Sequence, residues 1–189
     1  MISTLFSTDG DLGKWIDTFY GAADASYAQE ADRKSRSGFL FMMMGAAVMW
    51  YCKKQGVVAL LSTEAEFYAL AEAIKDALWI RQFMTELGFD LNGATTIRQD
   101  NKSTIAVALN PINHKMVKHM DIRMNFYWEH IRMENITIVY CPTEDMIADI
   151  FTKALPAKQH QKLSSLMGLA SLADLLDESM FTVFAEYQF

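Results

Sequence analysis

The sequence is short of several things. Only two cysteines, Cys52 and Cys141, occur in 189 residues, far apart and in no metal-ligand spacing. A disulfide framework and a zinc site are therefore not expected, and a reduced setting is the default. Basic residues are outnumbered, 17 against 23 acidic, for a formal charge of -6. That balance excludes the broad basic surface of a general nucleic-acid binder, although local clusters can still serve. The opening "MISTLFSTDGDLGKW" has neither a basic start nor a sustained apolar region, so no signal peptide is expected. The longest apolar run, "FLFMMMGAAVMWY" from Phe39 to Tyr51, is shorter than the about 20 residues a spanning helix needs. It reads as two buried strands joined at a turn, with the methionines at 42 to 44 as soft core filling. No internal repeat or low-complexity linker appears, and no membrane partner is expected.

What is present is the content of one domain: half the residues are apolar and only a fifth charged. Before residue 60, apolar runs alternate with turn signals in "KWIDTFYGAAD", "SGFLFMMMG" and "AAVMWYCKK", a pattern of three strands in meander. From Thr63 to Leu87 the period changes to that of a helix, with Phe67, Leu70, Ala71, Ile74, Ala77 and Leu78 on one stripe and Gly88 ending it. A strand over 95–99, a short helix over 101–110, a longer helix from about Met120 to Met133 and a strand over 136–141 follow. A helix from near Glu144 and another reaching Gly168 complete the order. The fold class expected is α/β: a five-stranded mixed sheet, a three-strand meander followed by alternating helices and strands, flanked by helices. Residues 170 to 189 stand apart, with four acidic residues and no Lys or Arg.

In such sheets chemistry collects at strand ends, and four acids stand there. Asp24 follows the first strand; Glu66 lies in the first turn of the long helix; Asp100 ends the fourth strand; Asp149 lies in the last core helix. Each has an ordinary structural explanation. Asp24 suits a turn, "TEAE" is a capping-box pattern linking Thr63 and Glu66, Asp100 suits an N-cap, and Asp149 suits an ion pair with Lys153. Jointly they mean more. Four converging carboxylates repel one another unless divalent cations neutralise them, and hard Mg²⁺ or Mn²⁺ prefers such oxygen ligands. A pair of such ions is the arrangement used for in-line phosphodiester hydrolysis.

Six segments, "ADASYA", "RKSRSGFLF", "KKQGVVALLSTEAEFYALAEAIKDALWIRQFMTELGF", "IRQDNKSTIAVALNP", "HKMVKHMDIRMNFYWEHI" and "YCPTEDMIADIFTKALP", resemble in order and spacing one known family. It is the RNase H domain of the Pol polyprotein of copia-type LTR retrotransposons. The match covers 11–168, leaving 169–189 as an acidic tail of unknown role. The resemblance implies an RNase H-like fold and hydrolysis of the RNA strand of an RNA/DNA hybrid by four carboxylates and two Mg²⁺ ions, with Mn²⁺ as a substitute. It assigns Asp24 to both metals, Asp149 to the site that activates water, and Glu66 and Asp100 to the second metal. Glu66 is chosen over Glu64 because the family places the acid immediately before an aromatic residue, here Phe67; helical geometry does not make that choice.

Two departures stand out. "CPTEDMIAD" lacks the His that cellular enzymes of this fold carry before the last acid, and Ser26 stands where many copia-type elements show a second Asp. Arg33, Lys34, Arg36, Lys53 and Lys54 form one basic cluster, and Lys115, Lys118, His119 and Arg123, with His114 beside them, form another. These are expected to straddle hybrid phosphates, with Asn101, Lys102 and Ser103 donating to phosphate at a helix start. "KHMDIR" reads as backbone contact or structure rather than a metal site. The implied partners are an RNA/DNA hybrid and a reverse transcriptase polymerase domain, in an intracellular setting, cytoplasmic within a virus-like particle or nuclear. A catalytically silent or captured module that binds nucleic acid or protein without cutting is the alternative.

Overall fold

A computed structural model describes residues 19–29, 31–89, 91, 93–110 and 121–170, with the side chains of 121–125 excepted. The start of the matched region at 11, the tail from 171, and the basic residues Lys115, Lys118, His119 and Arg123 lie outside the described residues or side chains. Five strands form one sheet: β1 (Tyr20–Ser26), β2 (Arg36–Met43), β3 (Ala46–Lys54), β4 (Thr95–Gln99) and β5 (Ile136–Tyr140), in the spatial order β3-β2-β1-β4-β5. The first three pair antiparallel as a meander, while β4 joins β1 and β5 joins β4 in parallel. The helices are α1 (Ser62–Glu86), α2 (Lys102–Leu109), α3 (Asp121–Arg132), α4 (Asp149–Thr152) and α5 (Ala157–Leu166).

The expected mixed sheet is present, and its two faces carry separate cores. On one face Ala23, Phe39, Phe41 and Ile97 pack with Phe67, Leu70, Ile74 and Ala77 of α1 and with Tyr127 and Trp128 of α3. On the other, Ala22, Leu40 and Met42 meet Met146, Ile147, Ala148, Leu163 and Met167. Alternation along β1 and β2 sends successive side chains to opposite cores, which is why β2 is buried along almost its whole length.

β3 departs from the expectation of two buried strands. It lies at the sheet edge and alternates, with Val48 and Trp50 exposed. The methionines divide likewise: Met42 is buried, Met43 is half-buried against the α1-side core, and Met44 is exposed. The reason is the hairpin turn, where Met44 and Gly45 both have positive φ, 55° and 80°, as a tight two-residue connection requires.

α1 ends as its sequence suggests. Gly88 adopts φ 84°, its N–H donates to Thr85 O and that of Phe89 to Met84 O, the paired bonds of a Schellman stop. Its start is different. The N-cap is Leu61, with no side-chain cap, so the Thr63–Glu66 capping box does not form. Glu64 reaches back instead, accepting from Leu60 N–H at 2.7 Å. The expected helix from Glu144 is also broken. A 3₁₀ turn at Thr143–Asp145 is followed by extended backbone at Met146 and then by α4. Met146, Ile147 and Ala148 are all buried in succession, which a one-sided helix on a sheet cannot achieve.

Candidate metal centre

The parallel pairing of β1 and β4 sets the site. Tyr20 lies opposite Thr96 and Ala22 opposite Arg98. Continuing that register brings Asp24, which lies inside β1 two residues before its end rather than in a turn after it, level with Asp100, just past the end of β4. Asp149 arrives from the other direction, at the first position of α4. One carboxylate oxygen from each of Asp24, Asp100 and Asp149 lies within 4.8 Å of the others. Asp24 and Asp149 are buried, and Asp100 is half-buried.

Glu66 is placed one step behind these three. Small residues make its approach possible: Ala25, Ala59, Ala65 and Ala69 form a cluster of their own that lets α1 close on β1. The Glu66 carboxylate is buried and accepts from Ala25 N–H at 2.9 Å. Burial first, then the charges of Asp24 and Asp100, push its pKa up to about 9. Burial likewise raises Asp149 to about 6, with Lys153 acting against the shift. Crowded acids that resist ionisation mark a place where a cation is wanted.

Two hydroxyls that the sequence did not single out, and Lys153, which it read only as a helix partner of Asp149, complete the surroundings. Thr143 Oγ1 donates to Asp100 Oδ2 at 2.8 Å, so the 3₁₀ turn fixes Asp100, which is not an N-cap. Thr152 Oγ1 donates to Asp24 Oδ2. Lys153 Nζ contacts Asp24 Oδ1 at 3.1 Å and Asp149 Oδ1 at 2.7 Å. Only the Lys153–Asp149 pair had a signal, its spacing of four; Thr143 and Thr152 act across the fold and had none. Gly38, opposite Asp24 on β2, makes the third contact possible: a Cβ there would stand 2.6 Å from Thr152 Cγ2 and 2.8 Å from Phe151 Cβ.

The donor set is all carboxylate oxygen, the chemistry of Mg²⁺ or Mn²⁺ rather than of softer metals. Asp24 and Asp100 each accept from a threonine hydroxyl, and three carboxylates that each bring one oxygen within 4.8 Å of the others fit such an ion.

The basic residues flank this end of the sheet. Arg36 pairs with Lys54 across β2 and β3, two positions beyond Gly38 and Cys52. Lys53 and Lys54 are exposed, the latter bound to Asp32 at 3.0 Å, while Arg33 and Lys34 lie in the irregular segment leading into β2. Beyond Asp100, Lys102 lies over the Tyr140 ring, 4.8 Å from its centroid. Asn101 caps α2 by accepting from Ser103 N–H and Thr104 N–H, each at 3.0 Å. Its oxygen thus already satisfies two of the helix-start donors expected to meet a phosphate. Among the described residues no helix is long and apolar enough to cross a membrane.

A sheet of this order and direction, covered on both faces and carrying carboxylates on β1, α1, β4 and α4, defines an RNase H-like domain. The solved structure of LC11-RNase H1, isolated from compost by a metagenomic approach, shares the fold: TM-score 0.50 at 13% identity, covering 85% of this chain and 99% of that one. No family model matches the chain. The chain is homologous to a segment of retrovirus-related Pol polyproteins of plant and yeast transposons. It is 34% identical over 152 residues to the Pol polyprotein of transposon TNT 1-94 of Nicotiana tabacum, 80% of this chain and 11% of that one. Against the Gag-Pol polyprotein of transposon Ty1-NL2 of Saccharomyces cerevisiae it is 28% identical over 152 residues, 76% of this chain and 8% of that one. The chain therefore spans about a tenth of the length of the relatives it matches.

Proposed function

We propose that this domain is a ribonuclease H of the copia-type Pol lineage, an endonuclease that hydrolyses the RNA strand of RNA/DNA hybrids with two Mg²⁺ ions. The observation that carries the reading is the convergence of Asp24, Asp100 and Asp149 with Glu66 buried behind them. Asp24, Asp149, Asp100 and Glu66 would hold the ions, which when bound supply an activated water and charge stabilisation for the leaving 3′ oxygen. The chain's own task is orientation. Thr152 and Thr143 fix the rotamers of Asp24 and Asp100, and α1 holds Glu66 against β1.

The flanking bases suit a backbone-tracking role, which needs positive charge and little base readout. Arg36, Lys53 and Lys54 lie on one side of the acids and Lys102 on the other. With so modest a basic surface, a polymerase domain of the same polyprotein is the partner that would hold the hybrid.

A second reading, a captured module that binds without cutting, has one observation in its favour: Lys153 already supplies a cation to two of the acids. A labelled hybrid incubated with Mg²⁺, Mn²⁺ or EDTA separates the two. Cleavage with either ion, none in EDTA, and loss of at least about a hundredfold in Asp24→Asn and Glu66→Gln support the nuclease. Full activity in either variant, or hybrid binding with no metal-dependent cleavage, refutes it. Duplex DNA and duplex RNA run alongside test the substrate class.

A further inference from the structure

An acid and a lysine four apart on a helix normally form an exposed pair that contributes little. The pair at Asp149 and Lys153 is of another kind. The side chains it joins are almost sealed, Asp24 0% and Asp149 4% exposed, while that of Lys153 is 29% exposed. The ammonium touches one oxygen of each, and both residues belong to the converging group. The backbone is arranged to deliver it. Lys153 caps α4 in extended conformation, φ −127° and ψ 146°, with its N–H on Asp149 O at 2.9 Å. Gly38 lets α4 lie directly on β2 so that this turn reaches Asp24 at all.

We propose that Lys153 is a built-in stand-in for the divalent cation: its ammonium holds Asp24 and Asp149 together in the metal-free protein and competes with the ion for the same carboxylates. Loading is then an exchange, in which the flexible lysine stem swings its head to solvent as the ion enters. Lys153 is a positioning residue in this scheme. The inference rests on the metal-holding half of the proposed function. Its physical basis is that two buried carboxylates without a counter-charge are strongly destabilising, whereas a monovalent ammonium is displaced by an ion of twice the charge.

The test uses the full 189-residue chain at one near-neutral pH. Manganese binding is measured by calorimetry in wild type, Lys153→Met and Lys153→Arg, and melting temperature is recorded in EDTA. Lys153→Met is expected to melt lower in EDTA and to bind Mn²⁺ roughly tenfold more tightly or better, because a nearby positive charge has gone; Lys153→Arg should not gain affinity. Equal or weaker Mn²⁺ binding by Lys153→Met overturns the proposal. Should that variant not fold, wild type answers alone: acylation of Lys153, followed by mass spectrometry, should rise several-fold on adding Mg²⁺, and an unchanged rate refutes exchange. Hybrid cleavage, read separately, distinguishes the failures. Exchange without cleavage removes the nuclease reading, whereas cleavage without exchange removes only the role of Lys153.

Discussion

Replacing Gly38 by alanine tests how the site is assembled, because this glycine is where α4 rests on the sheet. The added Cβ would stand 2.6 Å from Thr152 Cγ2, 2.8 Å from Phe151 Cβ and 3.4 Å from Ala148 O. Ordinary contact begins at 3.4 Å, so α4 must retreat by about 1 Å. Phe151 Cβ is fixed to the backbone and cannot turn aside. Overpacking of this kind costs about 1–3 kcal/mol, against which a strand alanine recovers about 0.5–1 kcal/mol relative to glycine. A net loss of about 1 kcal/mol lowers the melting temperature by about 2–4 °C in a domain of this size. The same retreat draws Asp149 and Thr152 away from Asp24, and a displacement of about 1 Å at the groups that would hold the ions is worth on the order of a hundredfold in rate. Differential scanning fluorimetry and hybrid cleavage read the two effects. Gly21→Ala is the control. Its Cβ would meet the Phe41 ring at 2.6 and 2.9 Å, in the core on the opposite face, so it should lower stability and leave metal binding and cleavage per folded molecule intact. Combining Gly38→Ala with Thr152→Ser removes the closest clash while keeping the hydroxyl, and should restore part of the activity. Wild-type melting and cleavage in Gly38→Ala would show that α4 does not depend on this contact.

The two glutamates at the start of α1 should separate. Glu64→Ala removes the acceptor for Leu60 N–H and should cost about 0.5–1 kcal/mol by denaturant unfolding, with Mn²⁺ affinity unchanged. Loss of Mn²⁺ binding in that variant would mean that the family register had been set on the wrong residue. In EDTA, stability should fall as pH rises from about 5 to about 8. Burial raises Glu66 to about 9 and Asp149 to about 6, so the folded state holds protons that the unfolded chain has released. Acids raised in this way stabilise the fold at the low end of the window and lose that contribution as pH climbs through their folded values. Saturating Mn²⁺, which takes the ionised carboxylates, should flatten the slope; a metal-free melting temperature that rises across the window contradicts the burial of these acids.

The sequence by itself determined the order and type of nearly every described element, because the signals are local. Alternation marks β1 to β3, the 3.6-residue stripe marks α1, and Gly88 marks its end. It also supplied the four acids, though only family register distinguished Glu66 from Glu64. Where a local signal was followed too far, burial on a second face overruled it. The run 146–148 became a buried connection, extended at Met146 and turning at Ile147 and Ala148, and β3 became an exposed edge because nothing in its own residues says which strand pairs beyond it. Convergence was a matter of tertiary structure alone. The parallel register of β1 with β4 brings Asp24 level with Asp100, and the missing Cβ of Gly38 admits α4 and Asp149. Thr143 and Thr152 could not be read in advance, since each acts on an acid far away in the chain, at separations of 43 and 128 residues. Lys153 shows the division most plainly. Its spacing from Asp149 was legible as an ordinary helix pair, but that it faces two buried carboxylates depends on what the rest of the sheet excludes from water.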